Sequence, residues 1–162
     1  MNLSSHSEYG ARPRFWFALY QLLWHLILPF AFLRLIWRSR HSIDYLKHLP
    51  ERLGLVGSNR IRTGAIWIHA VSVGETRAAQ PLIEAYLSRG EHILLTHMTL
   101  NGRRTGKALF AKAIANGQLH QAYLPYDLCW SIARFIRAFQ PKLGLFMETE
   151  AWPTIVFHCA KI

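Results

Sequence analysis

The 162-residue sequence has few cysteines and few acidic residues. Its two cysteines, Cys129 and Cys159, exclude a disulfide framework or a cysteine-based zinc site, and we expect reduced core thiols in helical segments. Asp and Glu number 9 against 19 Lys and Arg, which gives a formal charge of +10. This excess favours anionic partners such as nucleic acid, anionic lipid or phosphorylated substrates. Because 51% of the residues are hydrophobic, the sequence is not typical of a disordered chain.

Signatures of several common ligand sites are also absent. The sequence contains no G-x-G-x-x-G turn for a dinucleotide and no P-loop with its lysine and serine or threonine. The nine histidines show no H-x-x-x-H spacing that would place two metal ligands on one helix face. We therefore predict no metal site and no cofactor. Nucleic-acid binding has only the charge in its favour, and we expect none.

Residues 15–33 form a long apolar run, FWFALYQLLWHLILPFAFL, in which the strongly polar side chains are Gln21 and His25. The run is long enough to span a membrane and too long for the core of a signal peptide. Basic residues are more numerous after the run than before it, which predicts that the rest of the chain is cytoplasmic. Pro29, Gln21 and His25 leave open a helix that lies in the membrane surface instead. We expect residues 1–40 to be a membrane anchor of one of these kinds.

The remainder of the chain changes from an irregular to a regular pattern. Residues 41–64 are basic and rich in turn-forming residues, and we interpret them as a short helix and a linker. From residue 65, strand-like and helix-like stretches alternate four times, beginning with the apolar run AIWIHAV. This alternation predicts a Rossmann-like α/β domain over residues 65–162, with a parallel sheet and helices on both faces.

Polar residues follow each predicted strand, at the edge where open α/β sheets bind their ligands. Carboxylates follow three of the four strands, which is more than isolated helix-start residues would explain. The residues are Ser72, Gly74 and Glu75 after the first strand, Thr96, His97 and Thr99 after the second, Asp127 after the third, and Glu148 and Glu150 after the fourth.

Each of these carboxylates also has a purely structural explanation. Glu75 stands at the start of a helix, where its charge offsets the helix dipole, and a general base is the alternative. For Glu148, an ion pair with an arginine competes with a position beside a reacting centre. Asp127 is expected to be the N-cap of the helix predicted over residues 128–139. The residue pattern alone leaves the roles of Glu75 and Glu148 open.

Several motifs occur in an order and spacing that resemble a known family. They are HAVSVGE (69–75), THMTLNG (96–102), YLPYD (123–127) and METEAWP (147–153), with PERLG at 50–54. The sequence resembles the N-terminal half of the 3-deoxy-D-manno-oct-2-ulosonic acid (Kdo) transferases. These are membrane-associated glycosyltransferases of Gram-negative lipopolysaccharide assembly. Ala151 and Thr154 depart from the family pattern, which usually has a larger aliphatic residue and Asn at these positions, and we expect both to loosen the packing beneath Glu148.

The resemblance implies a GT-B fold, whose N-terminal domain takes the lipid A precursor and whose C-terminal domain takes CMP-Kdo. It implies inverting transfer without a metal, at the cytoplasmic face of the inner membrane. It also implies that Glu75 is the proton acceptor and that Glu148 stabilises the transition state. Substrate contacts are expected from the other residues at the same edge of the sheet, namely Ser72, Gly74, Thr99 and Glu150.

The resemblance places the CMP-Kdo domain outside these 162 residues, so we expect the chain to be inactive by itself. The alternative function is a non-catalytic, membrane-anchored module that binds anionic lipid. It shares the apolar anchor and the basic charge with the transferase hypothesis, but it needs neither Glu75 nor Glu148.

Overall fold

A computed structural model describes residues 11–40, 44–56, 63–148 and 152–159. In this part of the chain, four parallel strands form one sheet in the order β3-β2-β1-β4. This confirms the predicted parallel α/β fold with a long apolar helix before it. The strands are β1 (Ile66–His69), β2 (Ile93–His97), β3 (Leu119–Tyr123) and β4 (Leu143–Phe146).

The helices largely follow the predicted pattern, with two differences. Two helices follow β1 where one was expected, because a break at Ala79 ends the first helix and starts a second, in whose first turn Pro81 is accommodated. Both cysteines are helical and outside any disulfide, but Cys129 is only half-buried, and Cys159 ends its helix and is exposed, so Cys159 is no core thiol. The helices are α1 (Ala11–Ser39), α2 (Asp44–Lys47), α3 (Leu49–Arg52), α4 (Val73–Ala78), α5 (Gln80–Ser88), α6 (Leu100–Leu109), α7 (Ala111–Ala115), α8 (Cys129–Phe139) and α9 (Pro153–Cys159).

Helices cover both faces of the sheet, so the central strands β1 and β2 are buried along their whole length. On one face, the Trp67 ring lies 5.1 Å from the ring of Phe135 on α8. On the other face, Ile68 packs in one cluster with Ile83 of α5 and Phe110. The alternation of side chains along β1 therefore fills two separate hydrophobic cores.

One side of α1 packs against the carboxyl edge of the sheet. The Tyr20 hydroxyl donates a hydrogen bond of 2.8 Å to Oδ2 of Asp127. The Gln21 amide donates to the Asp127 carbonyl at 3.1 Å and to Oγ1 of Thr154 at 2.7 Å, and its Oε1 accepts from the Cys129 amide at 2.9 Å. Gln21, one of the residues that left the membrane-spanning interpretation open, thus attaches α1 to the domain.

Aromatic contacts continue this attachment along α1. The Trp24 ring centroid lies 5.9 Å from those of both Tyr126 and Trp152, and Phe17 lies 5.1 Å from Phe157 of α9. The other side of α1 is apolar and exposed, and Phe15–Ser39 has the length and hydropathy of a membrane span. The large exposed residues of α1 are Phe15, Trp16, Leu22, Leu23, Leu26, Ile27, Phe30, Leu33, Ile36 and Trp37.

Asp127 caps α9 and not α8, so the expectation for this residue is wrong. Its carboxylate accepts from the amides of Thr154 at 2.9 Å and Ile155 at 3.2 Å, in the first turn of α9. The first amide of α8 is satisfied instead by Gln21. Thr154 is fully buried and donates to the Asp127 carbonyl at 2.9 Å, so this departure from the family pattern is bonded rather than loosely packed.

We predict that Asp127→Ala lowers the free energy of unfolding by roughly 2–4 kcal/mol, because three donors lose one acceptor in a buried site. Tyr20→Phe removes only one of those bonds and should cost about 1 kcal/mol. Urea unfolding in detergent micelles, followed by circular dichroism, measures both values. An Asp127→Ala protein within about 0.5 kcal/mol of wild type, the range of ordinary surface changes, would contradict the observed bonding.

Candidate functional site

The turn between β1 and α4 holds Glu75 in a reciprocal capping box. Ser72 is the N-cap, and its Oγ accepts from the Glu75 amide at 3.4 Å. The Glu75 carboxylate in turn accepts at Oε1 from the Ser72 amide at 3.1 Å and from the Ser72 hydroxyl at 2.7 Å. Its Oε2 accepts from the Val71 amide at 2.8 Å. The capping role is therefore present, and it fixes the position of the half-buried carboxylate.

These hydrogen bonds do not use the whole acceptor capacity of Glu75. A carboxylate offers about four lone-pair positions, and three are occupied here. Oε1 accepts two bonds and Oε2 accepts one, so Oε2 keeps a lone pair for a further donor. The arrangement can therefore accept a proton or a hydroxyl hydrogen bond without breaking the cap.

Thr99 connects the loop that follows β2 to the turn between β1 and α4. Its hydroxyl donates to the Val71 carbonyl at 2.9 Å, and its own amide donates to that carbonyl at 3.2 Å. Because Glu75 binds the amide of the same Val71 residue, both loops meet at one residue. The structure thus brings together Ser72, Glu75 and Thr99, as their positions after neighbouring parallel strands predicted.

Two glycines at this edge of the sheet, Gly74 and Gly102, have different surroundings. Gly74 has no positive φ, and an added Cβ would meet only the Ser72 Oγ, at 3.9 Å. The close approach occurs at Gly102, where a Cβ would lie 2.8 Å from the Val71 carbonyl oxygen. Sequence reasoning missed Gly102, although it ends the THMTLNG motif, because the backbone it faces lies in another loop.

Glu148 follows β4 and is exposed. The Met147 amide donates to the His69 carbonyl at 3.0 Å, so the pairing of β4 with β1 continues to the residue before Glu148. No hydrogen bond or ion pair holds the Glu148 side chain among the described residues, so the alternative of an arginine partner is not observed there. Glu150 and Ala151 lie outside the described residues.

Two buried histidines lie in the sheet beneath this edge. Nδ1–H of His97 donates to the Ala70 carbonyl at 2.9 Å, and its Nε2 accepts from the Gln121 amide at 2.9 Å. His69 Nδ1 is bonded to the Thr96 hydroxyl at 2.8 Å. Burial lowers the pKa of both histidines to about 4, so both are neutral at pH 7. In the described residues, no group of three or more His, Cys, Asp or Glu side chains is placed to hold a metal ion.

The sheet, its helical layers and the acidic turns at its carboxyl edge define a Rossmann-like domain of the kind that forms the N-terminal half of GT-B glycosyltransferases. The family model described as 3-deoxy-D-manno-octulosonic-acid transferase (kdotransferase) matches residues 47–162. The chain therefore belongs to the Kdo transferase family, whose members are glycosyltransferases of lipopolysaccharide biosynthesis.

Three relatives named 3-deoxy-D-manno-octulosonic acid transferase show how much of such a protein this chain represents. The Bordetella pertussis protein is 50% identical over 109 residues, which are 66% of this chain and 26% of the relative. The Haemophilus influenzae protein is 39% identical over 121 residues (73% and 27%), and the Rickettsia bellii protein is 30% identical over 145 residues (88% and 34%). The chain thus spans between a quarter and about a third of their length.

We predict that the two buried histidines, His69 and His97, make the free energy of unfolding fall as the pH is lowered. Their folded pKa of about 4 lies below the unfolded value of 6.5, so the unfolded chain binds more protons between those limits. Stability is therefore complete above pH 6.5 and declines toward pH 4, by up to about 1.4 kcal/mol per pH unit for each histidine. His97→Asn keeps a donor for the Ala70 carbonyl and should remove only the contribution of His97 to that slope, up to about 1.4 kcal/mol per pH unit.

Urea unfolding at half-unit intervals from pH 8 to pH 4.5 measures this dependence. Above pH 7, the free energy of unfolding should depend on pH in the same way for wild type and for His97→Asn, and this range serves as the internal control. The assignment is wrong if His97→Asn leaves the slope below pH 6.5 unchanged.

Proposed function

We propose that this chain is the acceptor-side half of an inverting transferase that moves Kdo from CMP-Kdo to a lipid A precursor. The observation that carries the proposal is the Glu75 carboxylate, fixed by three hydrogen bonds at the carboxyl edge of the sheet with a lone pair free on Oε2. Membership of the Kdo transferase family supports the donor and acceptor classes. The C-terminal parts of the relatives, which this chain does not cover, would supply the CMP-Kdo site.

In the proposed reaction, Glu75 is the proton acceptor. A hydroxyl oxygen of the acceptor sugar forms a bond to the anomeric carbon of Kdo, from the side opposite CMP. The bond between that carbon and the CMP phosphate oxygen breaks, and CMP leaves with the electron pair. The hydroxyl proton passes to Oε2 of Glu75. A base in this position contributes roughly 10²–10⁴-fold to the rate.

Glu148 is proposed to stabilise the positive charge that develops on the Kdo ring as CMP departs. An exposed carboxylate at the end of the neighbouring strand, without a partner among the described residues, is suited to this role. We also propose that Glu150 contacts substrate, as its place two residues further along suggests.

Ser72 and Thr99 are proposed to hold Glu75 in place, because their hydroxyl hydrogens already bond to Glu75 and to Val71. Contact with substrate at this turn is then expected at Gly74, which is exposed and has no side chain. The open space beside Gly74 would admit the acceptor sugar to the turn that holds Glu75.

We further propose that α1 lies in the surface of the inner membrane, on its cytoplasmic side, rather than across it. Contacts with the domain run from Phe17 near its start to Leu35 near its end, so the helix lies along the domain. If α1 spanned the bilayer, the polar carboxyl edge of the sheet would be immersed in hydrocarbon. The exposed apolar side of α1 and the basic charge of the chain suit an anionic membrane surface.

We predict that Glu75→Gln lowers kcat by roughly two or more orders of magnitude, because Gln is nearly isosteric but cannot take the proton. The assay uses a chimera in which the remaining C-terminal length of the Bordetella pertussis relative follows residue 162, with CMP-Kdo and lipid A precursor as substrates. Residues 1–162 alone should give no product, because both substrates must be held in near-attack geometry.

Ser72→Ala is the matched control for this prediction. It removes the Ser72 side chain from the capping box but keeps the Glu75 carboxylate, and it should cost about 1 kcal/mol of stability. Ser72→Ala should retain far more turnover than Glu75→Gln. Equal kcat for wild type and Glu75→Gln would contradict the assignment and leave Glu75 as a capping residue. A chimera that binds anionic lipid but transfers no Kdo would favour the non-catalytic lipid-binding module.

A further inference from the structure

A basic cavity of about 360 Å³ lies between α1 and the carboxyl edge of the sheet. Arginines from two elements line it, Arg34 and Arg38 from α1 and Arg52 from α3. Thr99 and Asn101, at the start of α6, and Tyr126, whose hydroxyl is bonded to Arg52, add polar groups to the lining. No carboxylate belongs to this lining among the described residues, so the cavity is strongly positive.

Arg52 is the strongest sign that the cavity takes an anion. Its side chain is only 7% exposed, and its guanidinium lies 4.2 Å above the Tyr123 ring. Nη2 donates to the Met98 carbonyl at 3.0 Å, but the buried Nε has no acceptor. The neighbouring Glu51 pairs with Arg103, and no carboxylate pairs with Arg52 among the described residues. A buried guanidinium without a counter-ion is costly, and a bound anion would remove that cost.

The start of α6 adds to the attraction for an anion. Thr99 is its N-cap, and the first turn contains no acidic residue. The first amides of a helix lack partners within the helix, and its dipole favours negative charge there. Leu100 and Asn101, the first two residues of α6, both line the cavity. The helix start and the buried Arg52 therefore favour the same kind of ligand.

We propose that this cavity binds a phosphate monoester. A dianion matches several guanidinium groups and a helix N-terminus better than the single charge of a phosphodiester does. The source would be a sugar phosphate of the acceptor glycolipid, and this part rests on the proposed function. Thr99 lines the cavity and also bonds to Val71, which holds Glu75. A phosphate bound here would position the acceptor through a group that does not react, close to the proposed base.

The test measures binding to residues 1–162 in non-ionic detergent micelles by microscale thermophoresis. The probes are bisphosphorylated lipid A precursor, the same glycolipid after phosphatase treatment, and phosphatidylglycerol, with inorganic phosphate as competitor. We expect the phosphorylated precursor to bind at least about 10-fold more tightly than either of the other lipids, and inorganic phosphate to compete with it.

Arg34→Gln and Arg52→Gln should each weaken binding of the phosphorylated precursor by roughly 10-fold and leave binding of the dephosphorylated one unchanged. Arg34 is exposed on α1, so its variant tests the cavity even if Arg52→Gln destabilises the fold. Arg137→Gln, at an exposed position on α8, is the matched control and should bind as wild type does.

Unchanged binding in Arg34→Gln and Arg52→Gln, with the preference for the phosphorylated precursor intact, would overturn the cavity assignment alone. The choice of a phosphate monoester would be overturned if phosphatidylglycerol bound as tightly as the phosphorylated precursor and if Arg34→Gln and Arg52→Gln both lost that binding. Failure of the proposed function is measured separately, as loss of Kdo transfer in the chimera.

Discussion

The buried carboxylate of Asp127 connects parts of the chain that are far apart in sequence. The carboxylate accepts hydrogen bonds from the Tyr20 hydroxyl of α1 and from the first two backbone amides of α9. The backbone carbonyl of Asp127 accepts hydrogen bonds from the side chains of Gln21 and Thr154. A buried carboxylate is costly unless it is bonded, so these partners must be in place when the domain is folded. Helix α1 is consequently a part of the folded domain, and the start of α9 is held at the same edge of the sheet.

A second junction, at Val71, explains how one glutamate can both cap a helix and serve as a base. The Val71 amide binds Glu75 and its carbonyl binds Thr99, so the two loops that follow β1 and β2 are joined through one peptide segment. Capping uses three lone pairs of Glu75 and leaves one on Oε2. The two interpretations of Glu75 therefore differ in what the free lone pair does, and the capping contacts would supply the fixed geometry that catalysis needs.

Sequence patterns predicted the features that depend on neighbouring residues. Alternating strands and helices gave the parallel sheet, and strand ends predicted that Ser72, Glu75 and Thr99 meet. Features that depend on distant contacts were missed, because no local pattern records them: Asp127 caps a helix 27 residues away, and Gln21 caps one 108 residues away. For the same reason Arg52, inside the PERLG motif, showed no sign of lining a cavity, since that cavity is closed by α1 and α6.

The central claim is that α1 lies along the domain and in the plane of the membrane surface. Trp16, Leu23, Phe30 and Trp37 are seven residues apart and exposed on one side of α1. Each can carry a spin label, as a single cysteine in a Cys129→Ser, Cys159→Ser background, in phosphatidylethanolamine–phosphatidylglycerol liposomes. Power saturation with oxygen and a nickel chelate then gives the depth of each label. Similar depths, within about 5 Å, are predicted for a helix lying in the interface. A progressive change of roughly 30 Å from Trp16 to Trp37, the length of that segment, would show that α1 spans the bilayer and would contradict the account.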